Sequence, residues 1–260
     1  MAGVPLDDRG LLLGDGLFET ILARRGELVL FDAHLNRMRA GCAAIGLAPP
    51  ASDQARGLCR QVLDAAGLAD DRAAVRLTLT AGSGGRGLER PADTAERLFA
   101  TAAPAPAPAS AAVLITATTR RNAGSPASRL KSLSCLDNVL ARREALAAGA
   151  DEAVMLNNEG HVAGAAAANL FWVESGRLFT PALDCGVLDG VMRGQVIAWA
   201  RANGVSVEEV CAPPAALARA EAVMLTNSLI GVRSVSVLDG RALKPHAIAA
   251  DLSRGLAAVS

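Results

Sequence analysis

The 260-residue chain has no tyrosine and only two lysines, Lys131 and Lys244, beside 24 arginines. It has no net charge either: 26 basic residues balance 26 acidic ones, so no basic face for nucleic acid is indicated. A chain that is 51% hydrophobic and 20% charged lacks the signature of disorder. A bilayer-spanning helix needs about 20 mostly apolar residues. The one uncharged stretch of that length near the middle, Leu98 to Thr119, is interrupted by Pro104, Pro106 and Pro108, so no membrane span is expected. The five cysteines, at 42, 59, 135, 185 and 211, are odd in number and widely spaced, and none forms C-x-x-C. That excludes a disulfide framework and a linear zinc motif and fits a reducing compartment. The first residues show no apolar signal core, and a cytoplasmic location is the expectation.

The remaining sequence reads as α+β in two halves. Leu17–Leu22, a turn at Arg24–Glu27 and Leu28–Phe31 read as a hairpin. Leu35, Met38, Cys42 and Ile45 fall at spacings of 3, 4 and 3, a helix stripe. Leu58–Ala66 reads as a helix and Ala74–Thr80 as a strand running into Gly82–Gly87. The Ala-Pro repeat from Ala102 to Ala109 reads as an extended connector, which places a small domain at 1–106 and a larger one at 107–260. Beyond it, strands are expected at Ala112–Thr118, Ala153–Leu156, Asn169–Val173, Leu178–Phe179 and Ala222–Thr226. Helices are expected at Ser134–Ala148, Val191–Ala202 and Pro214–Ala220.

Gly82-Ser83-Gly84-Gly85-Arg86-Gly87 matches G-x-G-x-x-G and follows a strand. Pro91 stops the helix that a dinucleotide site requires, so a glycine-rich substrate loop carrying Arg86 is the better reading. Asp189-Gly190-Val191-Met192-Arg193 opens a helix, whose N–H groups and dipole form an anion site. Lys131 is one of two lysines in a chain whose basic residues are otherwise arginine. A lysine in an apolar, enclosed site titrates lower and can form a Schiff base. His34, His161 and His246 are far apart and in no metal-binding spacing, so no metal is assigned.

Taken in order, these pieces resemble the fold-type IV pyridoxal-phosphate (PLP) enzymes, the class IV aminotransferase family. They are Gly14-Asp15-Gly16-Leu17-Phe18-Glu19-Thr20, Phe31–Met38, Lys131-Ser132-Leu133, Asn138–Arg142, Gly149–Ala153, Asn169-Leu170-Phe171, Gly190–Arg193 and Thr226–Leu229. The resemblance implies a two-domain, D-amino-acid-aminotransferase-like fold, PLP as cofactor, and a homodimer with the cofactor between the domains. It implies Lys131 as the Schiff-base lysine and acid/base. It implies Arg37, Val191, Met192 and Ser228 on the cofactor phosphate and Leu188 against the pyridine ring. One position departs from the pattern. Where the family usually has a glutamate on the pyridine nitrogen, five residues before Asn169, this chain has Gly164.

Met192, where many aminotransferases have threonine, and the glycine-rich loop lean towards 4-amino-4-deoxychorismate lyase. That enzyme releases pyruvate and leaves 4-aminobenzoate. Aromatisation drives the reaction downhill, so it tolerates a weaker electron sink. The alternatives are an aminotransferase acting on branched-chain or D-amino acids and a non-catalytic PLP-binding homologue. Either way the partner is a small amine or amino acid.

Overall fold

A computed structural model describes residues 3–84, 87–105, 107 and 110–259. The chain forms two compact units: Met1–Pro106 with Leu130–Ser134, and Ala107–Arg129 with Cys135–Ser260. The short segment carrying Lys131, expected with the C-terminal half, thus groups with the first unit.

The first unit contains α1 (Arg9–Leu13), β1 (Gly16–Arg24), β2 (Glu27–Leu28), α2 (Phe31–Ile45), α3 (Ser52–Ala65), β3 (Arg72–Thr80) and β4 (Arg97–Pro104). Its antiparallel sheet has the order β2-β1-β3-β4. The hairpin turn is Arg25-Gly26, both at positive φ, which matches the twist of the flanking strands. The expected second strand is shorter than its apolar run. Leu30 takes φ 53 and begins α2, so Phe31 is helical. Leu28, Val29 and Phe31 are all buried, and a short apolar run cannot by itself distinguish strand from helix start. The expected stripe on α2 holds: Leu35, Met38 and Cys42 are buried against Leu17, Ile21, Val75 and Leu77, with Ile45 packed at the edge. The Ala-Pro segment begins inside β4, an edge strand, where Pro104 disrupts no interior ladder.

The second unit contains β5 (Ala112–Arg121), α4 (Pro126–Arg129), α5 (Leu136–Ala147), β6 (Glu152–Asn157), β7 (Val162–Ala165), β8 (Asn169–Glu174) and β9 (Arg177–Pro181). These are followed by α6 (Val191–Ala202), β10 (Val207–Val210), α7 (Ala215–Arg219), β11 (Ala222–Asn227), β12 (Gly231–Leu238), β13 (Arg241–Ala242) and α8 (Ala247–Gly255). The sheet order is β10-β9-β8-β11-β12-β5-β6-β7, with β13 on β12. This sheet curls on itself. β7, at one end, packs against β8 and β9, and Val162 N–H donates to the Ala212 carbonyl just past β10, at the other end. One face of β8 and β11 (Leu170, Trp172, Val223, Leu225) joins the core with Leu114, Val154 and Leu217. Helix α6 spans the residues that the sequence indicates, and α7 starts on Pro214 as its N-cap. No helix among the described residues is long and apolar enough to cross a membrane.

Candidate active site

Strand β2 pairs only with Ala23 and Arg24, which leaves the Gly16–Phe18 edge of β1 open. The segment Lys131–Leu133 fills it. Phe18 N–H donates to the Lys131 carbonyl (2.9 Å), and Leu133 N–H donates to the Gly16 carbonyl (3.0 Å). Gly16 is required there. A Cβ would stand 2.5 Å from the Leu79 carbonyl oxygen and 2.8 Å from Leu133 Cδ1. The Gly-Asp-Gly sequence thus lets β3 and the Lys131 segment both approach β1. Lys131 Nζ, half-buried, lies 4.2 Å from the centre of the Phe18 ring, and the Arg76 guanidinium carbon lies 3.6 Å from it. Phe18 holds the two cations through its ring face.

On β1 the next residue, Glu19, is only 1% exposed, as is His34 of α2. Glu19 accepts from Arg37 at both oxygens (Nε 2.9 Å, Nη2 2.5 Å) and lies 2.6 Å from His34 Nδ1. Burial alone would raise the Glu19 carboxyl. The Arg37 hydrogen bonds, then His34 and the charge of Arg37, outweigh it and hold the group below its ordinary value. A bidentate carboxylate fixes the guanidinium plane, so Arg37 is pre-oriented. The sequence placed Arg37 in a motif but gave Glu19 and His34 no role. A glutamate among the apolar residues of a buried strand was the available signal.

Arg86 lies outside the described residues. The loop around it is anchored by Arg9, which donates to the Leu88 and Glu89 carbonyls and to Asp15. Asp15 also accepts from Arg90, and hydrogen bonding to Arg90 is the largest influence holding its carboxyl below the usual range.

In the second unit, α6 has Gly190 as N-cap with no side-chain cap, so its first N–H groups are left to an anion. Asn169 secures the approach by donating from Nδ2 to the Leu188 carbonyl (2.9 Å). A Cβ on Gly190 would collide with Asn169 Oδ1, so the two fit only because residue 190 is glycine. Arg193, 2% exposed, ties the helix to Asp189, the Pro181 carbonyl and Glu209, and is structural. Thr226 pairs with Asn169 across β11 and β8 and so shares its sheet face. Its hydroxyl is buried without a hydrogen-bond partner. Asn227 Oδ1 caps the following turn by accepting from Leu229 and Ile230 N–H, which sets Ser228, half-buried, at its start. Val191 and Met192 are the first two residues of α6, and Leu188 is half-buried just before them. The uncapped helix, the cradle under Gly190 and the orphan hydroxyl fit a phosphate group.

Gly164 sits in a bulge. Val154 pairs with Ala165 and Leu156 with Val162, so Ala163 and Gly164 together oppose Met155. Gly164 has φ 111, and a Cβ there would meet only the Ala168 carbonyl, at 3.4 Å. The position is open but its backbone strongly favours glycine. The charged group beside Met155 is Arg121, with Nη2 3.7 Å from Met155 Sδ and Nη1 donating to the Gly186 carbonyl (3.4 Å). Desolvation lowers the pKa of this guanidinium.

A family model described as amino-transferase class IV matches residues 16–238. The chain is 33% identical over 241 residues to an aminodeoxychorismate lyase from Vibrio harveyi, covering 90% of this chain and 86% of that one. The solved 4-amino-4-deoxychorismate lyase from Pseudomonas aeruginosa is similar at 32% identity with a TM-score of 0.87, covering 98% of this chain and 95% of that one. A hypothetical aminotransferase from Mycobacterium tuberculosis, solved in a PLP-bound form, matches at 25% identity with a TM-score of 0.85 over 100% of this chain and 93% of that one.

Proposed function

This chain belongs to the class IV amino-transferase family, whose members are PLP-dependent aminotransferases and lyases, and we propose that it is a 4-amino-4-deoxychorismate lyase, forming 4-aminobenzoate and pyruvate. The observation that carries the choice is Gly164: the bulge holds glycine, at φ 111, where the family pattern has a carboxylate. Bound PLP supplies an electron sink whose strength rises when its ring nitrogen is protonated. A carboxylate would hold a proton on that nitrogen, and a glycine at position 164 supplies none. Such a site favours a reaction in which product aromatisation supplies the drive.

Each residue has a task in this reading. Lys131 would carry the cofactor and would move the proton from the amine-bearing carbon. By the family resemblance Val191, Met192, Ser228 and Arg37 would hold the phosphate and Leu188 would contact the ring. Glu19 and His34 position Arg37. Retention of Lys131, in a chain with only two lysines, counts against a non-catalytic PLP-binding homologue. A homodimer is supported by the exposed apolar row Leu136, Val139, Leu140 and Leu146 on α5, which a second copy would cover. The proposed cytoplasmic setting rests on the odd number and wide spacing of the five cysteines in the sequence.

The test is product analysis with the holoenzyme. Aminodeoxychorismate should yield pyruvate and 4-aminobenzoate in equal amounts, and Lys131→Ala should abolish both. Brisk amino transfer between common D- or branched-chain amino acids and keto acids, with no aminobenzoate formed, overturns the assignment.

A further inference from the structure

Linear spacing gives no metal motif, but the curl of the second unit's sheet brings distant residues together. An imidazole nitrogen of His161 and the thiol sulfurs of Cys185 and Cys211 all lie within 4.8 Å of one another. His161 ends the turn before β7, Cys211 follows β10, and Cys185 closes a 3-10 turn, Leu183–Cys185, after β9. They meet at the seam where the sheet closes. Three backbone contacts build the seam. Val162 N–H donates to Ala212 (2.8 Å), Ala182 N–H donates to Val210 (3.0 Å), and Cys185 N–H donates to Ala182 (3.0 Å). Asn157, 1% exposed, joins the other two sides: its Oδ1 accepts from His161 N–H (2.9 Å) and its Nδ2 donates to the Cys185 carbonyl (3.5 Å).

Two further observations point to a ligand. His161 Nδ1 is buried and makes no hydrogen bond, although Glu159 Oε2 stands 3.4 Å away. Cys185 is buried whereas Cys211 is exposed, so the cluster has a closed floor and an open side. Among the described residues it is the one such grouping of ligand side chains.

We propose that His161, Cys185 and Cys211 form a binding site for a thiophilic divalent cation, zinc by its chemistry, with Glu159 or water as fourth ligand. Two thiolates and an imidazole are a borderline-soft set that suits zinc and does not suit magnesium or calcium. Zinc bonds of about 2.3 Å to sulfur and about 2.0 Å to nitrogen put tetrahedral ligand atoms about 3.5–3.8 Å apart, so side-chain rotations closing the cluster by about 1 Å suffice. Binding releases two thiol protons to solvent, and the two thiolates neutralise the ion; no oxidant is involved. The ion clamps the sheet seam and the turn that leads towards Leu188. Its role is structural and does not depend on which reaction the enzyme performs.

The experiment uses the reduced holoenzyme freed of metal and titrated with cobalt(II). One equivalent per chain should produce tetrahedral d–d absorption in the red, clear of cofactor absorbance. Zinc should displace it, and Cys211→Ser and His161→Ala should lose it. Zinc should also raise the thermal midpoint of the wild type and leave that of Cys211→Ser unchanged. Absence of the bands at one equivalent, or bands that persist in Cys211→Ser, overturns the proposal. So does a Cys185–Cys211 disulfide forming in air while equilibrium dialysis of the reduced wild type finds no zinc, which would make the pair a redox couple.

Discussion

Replacing Glu19 with glutamine tests whether the buried carboxylate organises the first unit. The side chain keeps its size but loses its charge, and its amide turns an N–H₂ group towards donors. Oε1 and Oε2 now receive Arg37 Nε and Nη2, and Oε2 stands 2.6 Å from His34 Nδ1. An amide oxygen can serve one side; the other is left with donors facing donors. Breaking a fully buried ion pair costs about 3–5 kcal/mol and stranding a buried polar group about 1–3. Arg37 is 17% exposed and regains some hydration, so about 3 kcal/mol is expected for Glu19→Gln. At about 2–4 °C per kcal/mol for a chain of this size, the thermal midpoint should fall by roughly 6–12 °C at pH 7, read by circular dichroism.

The pH dependence supplies a control with a defined sign. Glu19 is held below its ordinary value of 4.5, so its contribution is full above that pH and is lost as pH falls through the folded value. The gap between wild type and variant should therefore shrink in acid. A drop of less than about 2 °C at neutral pH, or a gap independent of pH, refutes the reasoning.

Gly190→Ala should drive a methyl group into Asn169, break its bond to Leu188 and weaken PLP binding by about tenfold or more, measured by fluorescence titration; unchanged affinity would remove the α6 cradle from the account. Glu144 accepts from the hydroxyl and N–H of Thr119 and of Thr118, with the Thr119 hydroxyl the largest influence, and its carboxyl is held down at about 2. Its stabilisation is full above 4.5 and is lost as pH falls through about 2. Because solvent screens it, Glu144→Gln should cost about 1 kcal/mol at pH 7 and progressively less as pH falls towards about 2, read from unfolding midpoints across that range.

Local signals made much of the fold legible. The α2 stripe, α6 and the Asn169 strand are periodic or punctuated segments whose sequence carries their structure. β7, with Gly164 in a bulge, and the four-residue β10 carry too little pattern to be read. β4 was hidden by the Ala-Pro repeat, because a proline at an edge strand looks like a linker. Lys131 was found by its rarity, yet its placement on β1 depends on the short β2 leaving an edge open. The Glu19–His34–Arg37 cluster and the His161–Cys185–Cys211 cluster are products of topology, and only chain folding brings their members within reach.

Because position 164 is glycine, the ring nitrogen of bound PLP is expected to face no carboxylate from it. Nitrogen-15 NMR of the holoenzyme reconstituted with ring-labelled PLP measures this directly. The chemical shift of an unprotonated pyridine nitrogen is expected at neutral pH. The shift of a protonated nitrogen would contradict it.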